Sequence, residues 1–541
     1  MFRSKNKWSK LGVVIFLVGS VFFVSCKKEL AHKDKVAAII GKLESPFLMG
    51  TFVPENIIEK AGLEDGALPF VQQTIASFFM QEEKTGINNK AQVQLVIAKG
   101  EGSFPQAYAF VALKNAAKFK KLVETELSAE VQEKDGVFYF RKEADNYLVV
   151  WDAQMAIISN IPITLDNILS SSGISSKKAA IKIVGLMGEV GKGDIEPNYR
   201  AFMDKPGDVR MYLHGQNAYD MVKEIRFFPI KYKKQMALFL LGSTFETVLN
   251  FENGRIQLEN DHLLSDSLTA YMEMFKEEGI DPEMLTFGYS ANPAMALALN
   301  MDSDKFAKMM DITQWESYSH EVAKSLNDKG ISKEDIAAFS TGKTLFILDE
   351  VEKVKQEDNI NDLQDLNARY GMVVEIKDTV VARLVMQKVL TDSLLSSREE
   401  MFATIQNKYL ILSNSRAWIE KIEANNAVSI AALKTQLTIN PIGFYMNNNL
   451  LGDMSTDEDF NKTVKVVQDV VFEFNKSKSS LSIKMKDADK NSLRVIVEKL
   501  IEEMMLTELN SNSDIQTIIE QEMLEDISEE AIETVINALL K

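Results

Sequence analysis

Six segments of this 541-residue chain recur in the same order, and no other feature limits its fold as strongly. Thr85-Gly86-Ile87 opens "TGINNKAQVQLVIA", and Lys329-Gly330-Ile331 opens "KGISKEDIAAFSTGKTLFIL". "AYAFVALKNAAKFKKLVE" (107–124) then matches "YGMVVEIKDTVVARLVMQKV" (370–389), with Val111 to Asn115 over Val374 to Asp378. "NYLVVWDAQMAIISN", ending at Asn160, matches "NKYLILSN", ending at Asn414, and amphipathic "PITLDNIL" and "RAWIEKI" follow. "GDVRMYLHGQNAYDMV" (207–222) matches "NPIGFYMNNNLLGDM" (440–454), and "VLNFENGRIQLEN" (248–260) matches "VFEFNKSKSSLSIKMK" (471–486). Last, "SDSLTAYMEMF" lies over "KNSLRVIVEKL", with Ser267-Leu268 on Ser492-Leu493. Such a chain is expected to fold as two related copies, 36–280 and 290–504.

Period and punctuation supply the elements. Leu249 and Phe251 alternate with Val248, Asn250 and Glu252, Asn253-Gly254 predicts a type I′ turn, and Ile256 and Leu258 resume the alternation. Helical spacing marks Lys118 to Glu124 and Asp304 to Met310. Each copy therefore reads as an α+β unit, antiparallel sheets covered by helices. "SSSGISSKK" (170–178) and "NSNSD" (510–514) read as linkers. Residues 501–541 carry eleven acidic side chains against one lysine, which predicts an acidic, amphipathic helical tail over 505–541.

The N-terminus reads as a processing segment. Arg3, Lys5, Lys7 and Lys10 precede an apolar run, Leu11 to Val24, that is short for a membrane span. "FVSC" then resembles a lipobox, so residues 1–25 are expected to be a lipoprotein signal peptide and Cys26 the acylated (palmitate-bearing) residue. Cys26 is the only cysteine, which rules out an internal disulfide or a cysteine-ligated metal cluster. Residues 26–35, His32 among them, read as a tether of ~35 Å at most, holding the folded part close to its membrane. The formal charge is −17, and losing the four basic residues of 1–25 takes it to −21. So acidic a body repels phosphate backbones, and no nucleic-acid partner is predicted.

Four stretches imitate chemical sites. Ala337 to Thr344, "AAFSTGKT", followed by "LFILDE" to Glu350, spells both halves of a nucleotide motif. A phosphate loop needs a helix directly after Lys343-Thr344, whereas an apolar, strand-like run follows, and no nucleotide is predicted. Leu345 and Ile347 are expected in the core and Gly342-Lys343 at an exposed bend. "GLMGEVGKGD" (185–194) is a weaker imitation, with Gly193 where a magnesium-holding hydroxyl belongs. Asp487 to Ser492 with Glu498 copies a calcium-loop spacing, but Ser492 replaces the essential glycine; a turn with Asn491 or Ser492 capping a helix is expected instead. "GYSAN" around Ser290 lacks the last glycine of a nucleophile elbow. His32, His214, His262 and His320 show no metal-ligand spacing, and Trp151, Trp315 and Trp418 read as core. No catalytic, cofactor or metal residue is assigned.

Taken together, "SCKKE", the Thr85-Gly86-Ile87-Asn88 turn, "VALKNAAKFKKLV" and "NSLRVIVEKL" resemble a lipoprotein family of Bacteroidota catalogued as a domain of unknown function, family number 4836. The resemblance spans about 36–505, and its motifs are packing and turn motifs. It implies an outer-membrane lipoprotein facing the periplasm or the surface, and supplies no activity or site residues to carry over. The expectation is a non-enzymatic binding or structural scaffold with a protein or glycan partner; the alternative is an envelope hydrolase with an unrecognised carboxylate site.

Overall fold

The computed structural model describes residues 30–63, 77–100, 105–126, 129–142, 147–160, 182–187, 197–225, 229–305, 338–352, 367–391, 401–448 and 465–500. The signal segment, Cys26, "PITLDNIL", both linkers, Trp315, His320 and the acidic tail lie outside them.

The strands are β1 (Leu48–Phe52), β2 (Val93–Lys99), β3 (Pro105–Ala112), β4 (Gln132–Lys134), β5 (Val137–Lys142), β6 (Tyr147–Trp151), β7 (Met155–Asn160), β8 (Val209–His214), β9 (Thr244–Glu252) and β10 (Arg255–Leu263). The second half adds β11 (Met295–Asn300), β12 (Ser340–Glu352), β13 (Asn367–Ile376), β14 (Phe402–Gln406), β15 (Tyr409–Ser413), β16 (Ile442–Asn447), β17 (Val467–Phe474) and β18 (Lys478–Met485). All belong to one antiparallel sheet of eighteen strands. Pairing gives the order β4-β5-β6-β7-β3-β2-β1-β8-β9-β10. It continues β18-β17-β16-β11-β12-β13-β15-β14. Apart from the β4–β5 hairpin, each half lays its strands down in one order: 6-7-3-2-1-8-9-10 and 14-15-13-12-11-16-17-18.

The sequence led us to expect separate sheets. They are one, because β10 pairs with β18 from Arg255↔Lys484 to Asp261↔Lys478. The join satisfies the backbone of two strands that would otherwise be bare edges. Helices cover both faces towards the flanks. In the first half, Val36, Ile39 and Ile40 of the Leu30–Ile40 helix pack on Val96, Phe110 and Tyr212. On the other face Ile57, Phe119 and Trp151 pack with Val93 and Val209. In the second half Trp418 and Ile422 cover Ala296, Leu345 and Ile347, while Ala382 of the Thr379–Thr391 helix meets Leu410 and Leu412.

Each half is also closed by the other's trailing segment. Leu493, on a helix over 492–500, is fully buried in the first half's core with Phe251. Asn491 Nδ2 donates to the Phe251 carbonyl (2.9 Å) and Ser492 Oγ to that of Arg255 (3.0 Å). Reciprocally, Phe275, which follows β10, bridges to Met301 and sets its ring edge-on to Phe474 at 5.9 Å.

Two local expectations change. The β9–β10 hairpin has its two-residue loop, Glu252 opposite Arg255, but only Gly254 takes a positive φ (65°), so the turn is not type I′. The other half shapes it: Gly254 N donates to the Lys490 carbonyl and Asn253 bridges Asn491. His32 is not in a tether either. The helix begins at Leu30, and His32 is only 8% exposed.

Candidate functional site

Strand β12 carries most of the chemistry-like residues, and its two ends do different things. At the first end the register slips between Ser340 and Thr344, forming a bulge. Gly342 sits in it at φ +97°, and a Cβ there would lie 1.4 Å from the Met301 carbonyl oxygen, so only glycine fits. Gly342 N donates to Ser340 Oγ at 2.9 Å and Met301 N to the Gly342 carbonyl at 3.2 Å. The expected exposed bend is thus a buried bulge, clamped by the segment after β11; Leu345 and Ile347 are in the core as expected.

The bulge aims Lys343, only 13% exposed along its side chain, at acidic groups of the 276–281 segment and of β13. Its Nζ lies 2.7 Å from Asp281 and 3.8 Å from Glu375, with Glu278 at 4.0 Å. Lys408 Nζ reaches the other Asp281 oxygen at 2.7 Å and also pairs with Glu375. Thr341 Oγ1 donates to Glu375 at 2.7 Å, and the Tyr409 hydroxyl to Glu283 at 3.1 Å. Burial raises Asp281, but hydrogen bonds from Lys343 and Lys408 outweigh it and hold the carboxyl well below the usual range. Bonds from Asp281 and then Glu375 push Lys408 above its ordinary value. Asp281 therefore stays ionised and Lys408 protonated at neutral pH. That suits neither a general acid nor a lysine nucleophile.

At the other end, buried Asp349 accepts from Ser290 N (3.1 Å) and Ser290 Oγ (2.5 Å), with Arg369 at 3.5 Å. The motif's lysine and its carboxylate are thus six residues apart on one strand, ~20 Å, and could not meet at one nucleotide. Next to Ser290 the Tyr289 ring meets Arg369 Cζ at 4.0 Å and Lys421 Nζ at 3.6 Å. No described histidine joins Ser290: His214 Nδ1 accepts from Asn217 N in capping the Gly215–Glu224 helix, and His262 Nε2 lies against the Lys476 carbonyl.

The calcium-like stretch is a turn. Asp487 accepts from the amides of Asp489 and Lys490, Asn491 Oδ1 from Leu493 N, and Glu498 pairs with Lys490 and Arg494. Among the described residues no group of three His, Cys, Asp or Glu could hold a metal ion. Gly185 lies on the 182–187 helix, and the rest of its glycine-rich stretch is outside the described residues. Sequence reasoning missed Asp281, Glu375, Lys408 and Tyr409, whose partners lie 33 to 128 positions away in the chain. Lys343 was the one visible signal.

No family model and no curated protein matches the chain. Among solved structures it is similar to crystal form I of TP0453, with 11% identity over 42% of this chain and 79% of that one and a TM-score of 0.25. Crystal form IV of TP0453 gives 12% identity over 42% and 83%, with a TM-score of 0.24.

Proposed function

We propose that this protein is an outer-membrane lipoprotein of the cell envelope whose folded part is a duplicated scaffold that binds rather than catalyses. The observation that carries the non-catalytic reading is the saturation of β12 and its neighbour Ser290: Lys343, Asp349 and Ser290, the residues closest to a chemical motif, each end in an internal ion pair or hydrogen bond. The shared strand order supports two copies, 36–280 and 290–504, and so does the placement of the described parts of the six recurring segments on corresponding strands or helices. Among the described residues no helix is long and apolar enough to cross a membrane. Attachment is assigned to acylation of Cys26 after removal of 1–25, on the lipobox-like "FVSC" that follows the apolar run.

The test is metabolic palmitate labelling with membrane fractionation of the parent and Cys26→Ala. Label and membrane retention are expected in the parent and lost in the variant. Retention of both by the variant would sink the anchor.

A further inference from the structure

The middle of the sheet is two-faced. Leu249, Leu258, Leu481, Phe472 and Phe444 stand in register across β9, β10, β18, β17 and β16, all on one face. The row runs on through Leu297, Phe346 and Met372 on β11, β12 and β13. Among the described residues it is buried only at its ends, at Val209 and Leu412, where helices of the two halves cover it. Between these ends every member is half-buried, over eight strands and ~34 Å. The neighbouring row, from Ile256 through Ile483 and Val470 to Met446, is apolar and half-buried too. The opposite face of the same strands carries Gln257, Glu259, Ser480 and Ser482. The result is an apolar floor between two helical flanks.

One end of the floor is polar and uncharged. Thr247, Asn260 and Ser479 form the next row, with Thr247 Oγ1 donating to Asn260 at 3.1 Å and Asn260 Nδ2 to Ser479 Oγ at 3.4 Å. His262 follows, its ring stacked on Phe474 at 5.7 Å and 10°. Burial lowers the His262 pKa, which keeps the imidazole neutral. No lysine or arginine occupies any of these floor positions. A phosphate or carboxylate here would be desolvated with no cation on the floor to meet it, whereas hydroxyl groups would find donors and acceptors.

We propose that this trough binds an acylglycerol, its acyl chains lying across the strands on the two apolar rows and its hydroxyl-bearing head on Thr247, Asn260, Ser479 and His262. The assignment rests on reading the fold as a binding scaffold, and it is independent of the Cys26 anchor. A glycan does not fit, because the two rows offer no hydrogen-bonding side chain.

The experiment uses the full chain carrying Cys26→Ala, so that its own lipid does not compete. A pyrene-labelled diacylglycerol is titrated by fluorescence, and a diazirine-bearing diacylglycerol maps the contact by mass spectrometry. Saturable binding and crosslinks within β9, β10, β17 or β18 are expected. Leu258→Trp fills the floor and should weaken binding about tenfold or more. Asn260→Leu should weaken the diacylglycerol by about threefold or more while leaving a head-free hydrocarbon probe unchanged. Crosslinks confined to other strands, or unchanged affinity in a folded Leu258→Trp, would overturn the proposal. So would preference for dioleoylphosphatidylglycerol, binding seen only after deletion of 501–541 (that segment is then the occupant), or a dimer that Leu481→Trp dissociates (a second copy is). Loss of diacylglycerol binding with palmitate labelling of the parent intact would refute the ligand and leave the lipoprotein standing.

Discussion

The two halves solve one problem, polar side chains inside a sheet, in opposite ways. In the first half β1 pairs with β2 and β8 without a slip, and a row of Arg210, Thr51 and Gln94 is buried across them. The Thr51 hydroxyl and both amide atoms of Gln94 have no hydrogen-bond partner among the described residues. In the second half the strand at the place of β2 is bulged, and its polar residues join a cluster of two lysines and several carboxylates. The strand order survives both arrangements. The two halves share the pairing of their backbone and differ in their interior chemistry.

The largest expected effect tests the bulge. Gly342→Ala should cost more than ~4 kcal/mol, since the Met301 carbonyl occupies the space of the new methyl. Gly136→Ala, in the β4–β5 turn at a similar positive φ with nothing within 4 Å, should cost only ~1 kcal/mol. Urea unfolding of both separates crowding from backbone strain; equal losses would show that strain alone holds the bulge. Lys343→Met comes next, at ~3 kcal/mol, because it leaves Asp281 and Glu375 with one lysine, Lys408, in place of two.

His32 makes the first half acid-sensitive. Burial lowers its pKa from 6.5 to about 4. Between these values the unfolded chain takes up a proton that the folded one refuses. Stability therefore falls as the pH drops from 6.5 to 4, by ~3 kcal/mol over the whole interval. Urea midpoints of His32→Asn at pH 7 and 4.5 should differ less than those of the parent; an equal difference would remove His32 from the account. The smallest effect has the opposite sign. Gln94→Met should stabilise by ~1 kcal/mol, because it removes unpartnered polar atoms from a buried row. A loss instead would reveal a partner for that amide, and with it a closer kinship between the halves.

Strands were legible wherever apolar alternation met turn residues, as around Asn253-Gly254, and so was the core placement of Trp151, Trp418, Leu345 and Ile347. The single sheet was not, because β10 and β18 are more than 200 positions apart and either alternation suits an edge as well as a join. The acidic cluster was hidden by composition: with 78 Asp and Glu, proximity in sequence selects no pair, and Asp281 meets Lys408 only through the fold. The type I′ turn failed for the same reason. Its shape is dictated by Lys490 and Asn491, which the local tetrapeptide does not contain.

Leu493 has one more consequence, for the order of synthesis. The first half's core includes a side chain that leaves the ribosome almost 500 residues into a 541-residue chain. A chain crossing a membrane from its N-terminus would arrive with that core open, β10 without its neighbour and Phe251 uncovered. The face of the first half that holds Ile57, Phe119 and Trp151 cannot be completed before nearly all of the second half has emerged, whereas the face under the Leu30–Ile40 helix uses first-half residues alone. Such late, distant closure slows folding and prolongs the exposure of unpaired strand edges. The protein must be kept from aggregating until β18 and the 492–500 helix arrive to lock its beginning.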